Sequence, residues 1–123
     1  MNENTDNVVA LADICKVLQG KNVDKKKTNE EKHGLPVVVG ASDLIQGRFV
    51  PSRWCNEKLN QPTFTEKGDI LMSVVGSIWK MAVNTEGTAI LSKHVCALRP
   101  KDGVSRQYLM AVVSRLLLDA IPD

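Results

Sequence analysis

Apolar residues fall into short runs broken by Gly, Pro and charged clusters, with one longer stripe near the C-terminus. Residues 1–7 are polar and read as a leader or linker remnant; residues 8–123 then read as a single domain. Leu11, Ile14, Cys15 and Leu18 recur at i, i+3, i+4 and i+7. That spacing predicts one face of a short N-terminal helix, which Gly20 ends. Asn22 to Gly34 is a polar loop carrying Lys25-Lys26-Lys27 and then Glu30-Glu31-Lys32. Pro36-Val37-Val38-Val39-Gly40, β-branched and bounded by Pro and Gly, predicts a buried strand. A bend and a second short strand follow over Asp43-Leu44-Ile45 and Arg48-Phe49-Val50, with Gly47 at the turn. Pro51 to Gln61 has no periodicity and predicts loop.

The clearest β signal is Ile70 to Val75 and Ile78 to Val83, separated by Gly76-Ser77. Gly accepts positive φ at the first turn position, so this pair predicts a type II′ hairpin. Thr88 to Leu91 and His94 to Leu98 supply further strands, and Pro100 and Gly103 stop the sheet. Ser105 is placed to cap a helix, in which Tyr108-Leu109, Val112-Val113, Leu116-Leu117 and Ala120-Ile121 recur at helical spacing. The pattern predicts an α+β fold: a small mixed or antiparallel sheet with a β-hairpin, a short N-terminal helix and a C-terminal amphipathic helix.

Composition narrows the class. At 43% apolar the chain is too hydrophobic to be disordered, and no run approaches the ~18–20 apolar residues of a membrane span. The N-terminus lacks the basic and apolar regions of a signal peptide, so a soluble, cytoplasmic protein is expected. Lys and Arg number 16 against 14 Asp and Glu, and both halves are balanced. No domain-wide positive field points to nucleic acid, so a DNA-binding face would have to come from clustering in space. Three distant cysteines argue for reduced thiols: Cys15 and Cys96 as small core residues, Cys55 as a surface thiol in a loop.

Catalytic constellations are scarce. There is no Pro-Pro of the kind amino-methyltransferases use and no Gly-rich phosphate loop. Asp24-Lys25-Lys26 and Glu30-Glu31-Lys32 match nuclease triplets only by letter, within a charged loop. His33 and His94 stand apart, and a zinc site from Cys15, Cys55 and Cys96 would lack any close ligand pair. Asp43 and Asp69, each beside a turn, read as backbone caps, and the dispersed aromatics Phe49, Trp54, Phe64, Trp79 and Tyr108 as core or rim.

One segment adds a functional direction. Phe64 to Val83, FTEKGDILMSVVGSIWKMAV, resembles the Gly-Asp-aliphatic-Leu-aliphatic-Ser-x-x-Gly-[Ser/Thr]-x-Gly-Lys-x-Ala stretch of target-recognition domains in type I restriction–modification specificity subunits. Leu11-Ala-Asp-Ile14 with Gly20-Lys21, Pro36 to Asp43, Leu91-Ser92, Leu98-Arg99-Pro100 and Tyr108-Leu109 are similar to further family blocks in the same order, spanning about residues 8–121. The sequence departs from the pattern where Trp79 stands in place of Gly, where Ala12 does the same, and where a Gln near Lys93 is missing.

The resemblance implies a DNA-reading domain without catalysis of its own, ending before a spacer helix. Its partners would be double-stranded DNA, a methyltransferase subunit or fused methyltransferase using S-adenosylmethionine, and a restriction/translocase subunit using ATP. Lys25, Lys26 and Lys27 would meet phosphate, Arg48 and Arg53 lie in the variable middle region, and Ser77 and Lys80 at the hairpin. The ordinary reading of each is a solvated charge or turn residue. A homodimer through the C-terminal helix is a further expectation, since Leu118 widens its apolar stripe. The rival classes are a protein-interaction module without DNA contact, which the near-neutral charge favours, and a small enzyme with a scattered site.

Overall fold

The computed structural model describes residues 11–75 and 78–120. A helical segment at residues 11–14, α1, leads into β1 (Cys15–Gln19). A 3-10 turn at Lys25–Lys27 precedes β2 (Leu35–Val38), and another at Ala41–Asp43 precedes β3 (Leu44–Ile45). Then come β4 (Arg48–Phe49), β5 (Arg53–Cys55), β6 (Thr63–Thr65), β7 (Ile70–Val75), β8 (Ile78–Val83), β9 (Ala89–Leu91), β10 (Val95–Pro100) and α2 (Arg106–Ala120). The strands form a six-stranded sheet, β1-β10-β7-β8-β4-β3, and a four-stranded sheet, β5-β2-β9-β6. Each is antiparallel except for one parallel pair, β4 with β8 and β2 with β9.

Strand alternation divides the core into layers. Leu71 pairs with both Ala82 and Ala97, and these face Val38, Phe49 and Leu91 between the two sheets. Ile70 and Leu98 point the other way, where Cys15 and the α2 residues Leu109 and Val113 cover them. Removing each of the Leu, Ile, Val and Phe side chains from water stabilises by roughly 1.5–3 kcal/mol. Val37, Cys55 and Ile90 form a third cluster on the outer face of the small sheet, beneath Val23, Val39 and Leu59.

The α+β class, the β7–β8 pairing and the Ser105 cap hold. The hairpin register runs from Ile70↔Val83 to Val75↔Ile78; the Gly76-Ser77 turn lies outside the described residues. Ser105 Oγ accepts the Tyr108 N–H at 3.0 Å. Gln46 and Gly47 join β3 to β4 with positive φ at both positions, 50° and 78°, as a type I′ hairpin requires.

Several readings change. The helical face expected over Leu11 to Leu18 ends at residue 14, because Cys15–Gln19 pairs along its whole length with β10. Cys15 then faces α2 while Leu18 joins the inter-sheet cluster, a two-residue alternation. The expected loop from Pro51 to Gln61 contains β5, which pairs with β2 and buries Cys55, so this thiol is not at the surface. Of the aromatics read as core or rim, Phe49 is buried in the core, while Phe64, Trp79 and Tyr108 are exposed. Cys96 is half-buried, and the strands divide between two sheets where one was expected.

Candidate nucleic-acid interface

β7 ends and β8 begins at one end of the large sheet. Because β10 is antiparallel to β1 and β7, β1 also finishes there and β10 starts there. That end therefore gathers Gln19 to Lys21, the turn from Ser92 to His94, and Trp79-Lys80. Gly20 N–H donates to the Val95 carbonyl and Lys21 N–H to the Leu91 carbonyl, both at 3.2 Å. The junction depends on glycine: a Cβ at Gly20 would fall 1.7 Å from the Ser92 carbonyl oxygen. Lys80 pairs across from Ser73, whose hydroxyl donates to the His94 carbonyl at 3.1 Å.

The lysine-rich turn lies beside this end. Asp24 caps it, accepting the Lys26 N–H at 3.0 Å. Lys25 lines a hollow of about 260 Å³ with Val23, Val37, Ser92 and Arg53. Lys27 and Lys21 line an adjoining one of about 190 Å³, which shares Val23. A third hollow, of about 310 Å³, lies on the other side of the Ser92–His94 turn and is bounded by Trp79, Lys93 and His94. Lys21, Lys25, Lys27, Lys80, Lys93 and His94 thus share one end of the molecule. Burial pushes the Cys96 thiol above its ordinary value, so it meets the third hollow as a neutral group.

Arg53 is placed differently from a free cation. Its guanidinium donates to Glu30 Oε1 at 2.9 Å and to the Thr28 hydroxyl, and its side chain is 20% exposed. The Thr28 hydroxyl donates in turn to the Lys25 carbonyl at 2.7 Å, so Arg53 braces the lysine turn from β5. Arg48 sits elsewhere. Its register partner is Val83, about 17 Å along β8 from Ile78 at strand rise. It borders a shallow hollow with Thr85 and Glu86. Ser77 lies outside the described residues.

The structure therefore places Lys25, Lys27 and Lys80 toward one end of the fold, adds Lys21, Lys93 and Trp79 there, which sequence reasoning missed, and separates Arg48. The signal for Lys21 and Lys93 was absent from local sequence, since the Lys21↔Ser92 bridge joins segments far apart in the chain. Trp79 was visible as one of the dispersed aromatics and as a departure from the family pattern, not as a site residue. Among the described residues no group of three or more His, Cys, Asp or Glu side chains is placed to hold a metal ion. No helix among them is long and apolar enough to cross a membrane.

The model of the Type I restriction modification DNA specificity domain family matches residues 3–119. Among solved structures the chain is similar to the HsdS subunit from Thermoanaerobacter tengcongensis, with a TM-score of 0.77 and 24% identity over 92% of this chain and 28% of that one. It is also similar to a chain solved in work on complex assembly and conformational transition of the type I R-M system, with a TM-score of 0.76 and 24% identity over 90% of this chain and 27% of that one. This chain thus spans just over a quarter of the length of either. No curated protein matches it. At such identity the solved structures establish the shared fold, and the family match covers nearly the whole sequence. The chain belongs to the type I restriction modification DNA specificity domain family.

Proposed function

We propose that this chain is the sequence-reading module of a type I restriction–modification system, directing a methyltransferase and restriction complex to its DNA target. The observation that carries the reading is the gathering of Lys21, Lys25, Lys27, Lys80 and Lys93 at one end of a chain whose formal net charge is only +2. Local clustering offers cations that the net charge does not reveal, beside Asp24 and Glu30 in the same hollows, and phosphate neutralisation supplies a large share of the affinity of such modules. In this reading Lys25, Lys26 and Lys27 hold phosphates, while Ser77 and Lys80 approach base edges from the hairpin. Arg53 keeps the lysine turn in place, and Arg48 makes at most a separate contact.

The module reads and its partners react. S-adenosylmethionine and methyl transfer belong to a methyltransferase subunit, ATP and cleavage to a translocase, and the setting is cytoplasmic. The similarity to a chain solved in work on type I R-M complex assembly supports such partners. Self-association through α2 also stays a proposal. Leu118, on which it turns, has a side chain outside the described residues. A solution mass that falls from dimer to monomer with Leu118→Glu supports it, and a monomeric parent at high concentration removes it.

The test of the main reading is a titration of duplex DNA at rising salt. Binding at low salt with a steep salt dependence is expected, and replacing Lys25, Lys26 and Lys27 together with Ala should flatten the slope by about two to three for any DNA sequence. Absence of binding at low salt would leave the protein-interaction module as the better reading.

A further inference from the structure

The β7–β8 hairpin outruns the sheet that carries it. Among the described pairings, β10 meets β7 from Ile70 to Ser73 and β4 meets β8 at Val83. The two hairpin strands continue past these neighbours through Val74↔Trp79 to Val75↔Ile78. The distal part is therefore a two-stranded ribbon standing free of the sheet. The major groove of B-DNA, about 12 Å wide, admits such a ribbon.

Trp79 sits on this ribbon, facing away from Lys80 by strand alternation, and is 39% exposed. A partly exposed indole at the edge of a hollow offers an apolar surface with a polar N–H to a partner. The partner's chemistry follows from the lining. Gln19, Met72, Lys93, His94 and Cys96 share the hollow with Trp79, and among the described residues no carboxylate lines it. Lys93 suits a phosphate, and the side-chain amide of Gln19 has the donor–acceptor pair that matches adenine N6 and N7. An apolar ring lining the same hollow from β8, three strands across the sheet from Gln19, suits the methyl group of the thymine in the same pair. In the resembling sequence pattern this position is Gly, so the indole is a feature of this chain that the shared motif does not require.

We propose that Trp79 and Gln19 form a base-reading pair selecting an A·T base pair, Trp79 packing on the thymine methyl and Gln19 bonding the adenine edge. This rests on the DNA-reading function proposed above. The experiment is selection from a duplex library with a randomised centre, by the parent chain and by Trp79→Ala, Trp79→Phe and Gln19→Ala. Affinities for the selected duplex and a scrambled duplex are measured alongside. The parent should select a consensus containing an A·T pair at which Trp79→Ala and Gln19→Ala both relax the preference. Each loss at that pair should be about 5- to 150-fold, with binding to the scrambled duplex unchanged. Trp79→Phe should keep part of the preference, and its milder change guards against a folding defect. In a Trp54→Phe background Trp79 is the sole indole, and its fluorescence should change on adding the selected duplex. A parent that binds no DNA overturns the reading function itself. A parent that binds, with the same consensus and affinity in Trp79→Ala and Gln19→Ala and silent Trp79 fluorescence, leaves that function standing and overturns the base-reading pair.

Discussion

Arg99 grips Asp69 through two parallel hydrogen bonds, Nε to Oδ1 and Nη2 to Oδ2, each 3.0 Å. The Asp69 side chain is 3% exposed and also accepts from the Thr65 hydroxyl and the Glu66 N–H, both at 2.8 Å. Asn84, fully buried, extends the network by donating to the Glu66 and Gly87 carbonyls at 3.2 and 2.8 Å. Gly68, at φ +97°, turns its N–H onto the Asn84 carbonyl at 2.8 Å. The Gly68-Asp69 pair at the head of the family-like segment is therefore a clasp. It ties the end of β6 and the start of β7 to the end of β8 and to β10.

Breaking the clasp should cost stability. Asp69→Asn keeps the shape but sets an amide donor against donors from Thr65, Glu66 or Arg99. Removing one partner of a buried ion pair costs about 3–5 kcal/mol, but the Arg99 side chain is 36% exposed, and solvent screening lowers the expected loss to about 2 kcal/mol. Arg99→Lys loses the fork geometry and should cost less, about 1 kcal/mol. Denaturant midpoints at constant m-value report both changes. A midpoint for Asp69→Asn equal to the parent's would show that the clasp contributes nothing net.

Gly20 is the second structural test. Ala at this position drives its Cβ into the Ser92 carbonyl, which is backbone and cannot swing aside. Gly20→Ala should destabilise by about 2–4 kcal/mol and displace the Ser92–His94 turn. Gly40→Ala is the control, since its φ of 176° is extended backbone and a Cβ there meets nothing within 4 Å. It should stay within about 0.5 kcal/mol of the parent. Equal thermal midpoints for the two variants would contradict the tight β1 junction.

What was legible depended on the length over which a pattern could repeat. Ile70–Val75 and Ile78–Val83 were readable because six residues on each side of a Gly-containing turn fix a register. β5 and β6 were not, because three residues carry no period and both are held by the neighbours β2 and β9. Around Leu11 to Leu18 the residues fit both a helical and a two-residue period, and the pairing with β10 decides between them. At the candidate interface the Lys25–Lys27 charge was visible, whereas the engagement of Arg53 with Glu30 joins residues 23 apart and has no local signature.

The cysteines give a pH dependence. Burial pushes the Cys15 and Cys96 thiols above their ordinary value, with Lys101 opposing the shift at Cys15 and a backbone hydrogen bond opposing it at Cys96. The folded chain then holds protons that the unfolded chain releases. This contribution is complete below about pH 8.5 and is lost as pH rises from there through the raised folded-state values. Stability should fall in that alkaline window, and Cys96→Ala should flatten the fall. Toward a thiol reagent at neutral pH, half-buried Cys96 should react before buried Cys15 and Cys55. Immediate reaction of all three in the native chain would contradict their placement.

Arg53 separates two ways in which a cation can serve DNA binding. It stands behind the lysine turn, bonded to Glu30 and Thr28, and the adjoining Asn29–Trp54 bridge closes with backbone bonds of 2.8 and 2.9 Å. Arg53→Ala leaves every lysine charge in place and frees the turn that presents them. On the proposed reading, affinity should then fall about threefold to tenfold, the cost of ordering the turn on binding, with little change in salt slope. Lys25→Ala with Lys27→Ala should instead lower the slope by about two, since each phosphate contact contributes about 0.9. Arg53→Lys keeps the charge but cannot span both the Thr28 hydroxyl and Glu30, so it should resemble Arg53→Ala. The opposite result, parent-like binding by Arg53→Lys and a slope lowered by about one in Arg53→Ala, would make Arg53 itself a phosphate contact.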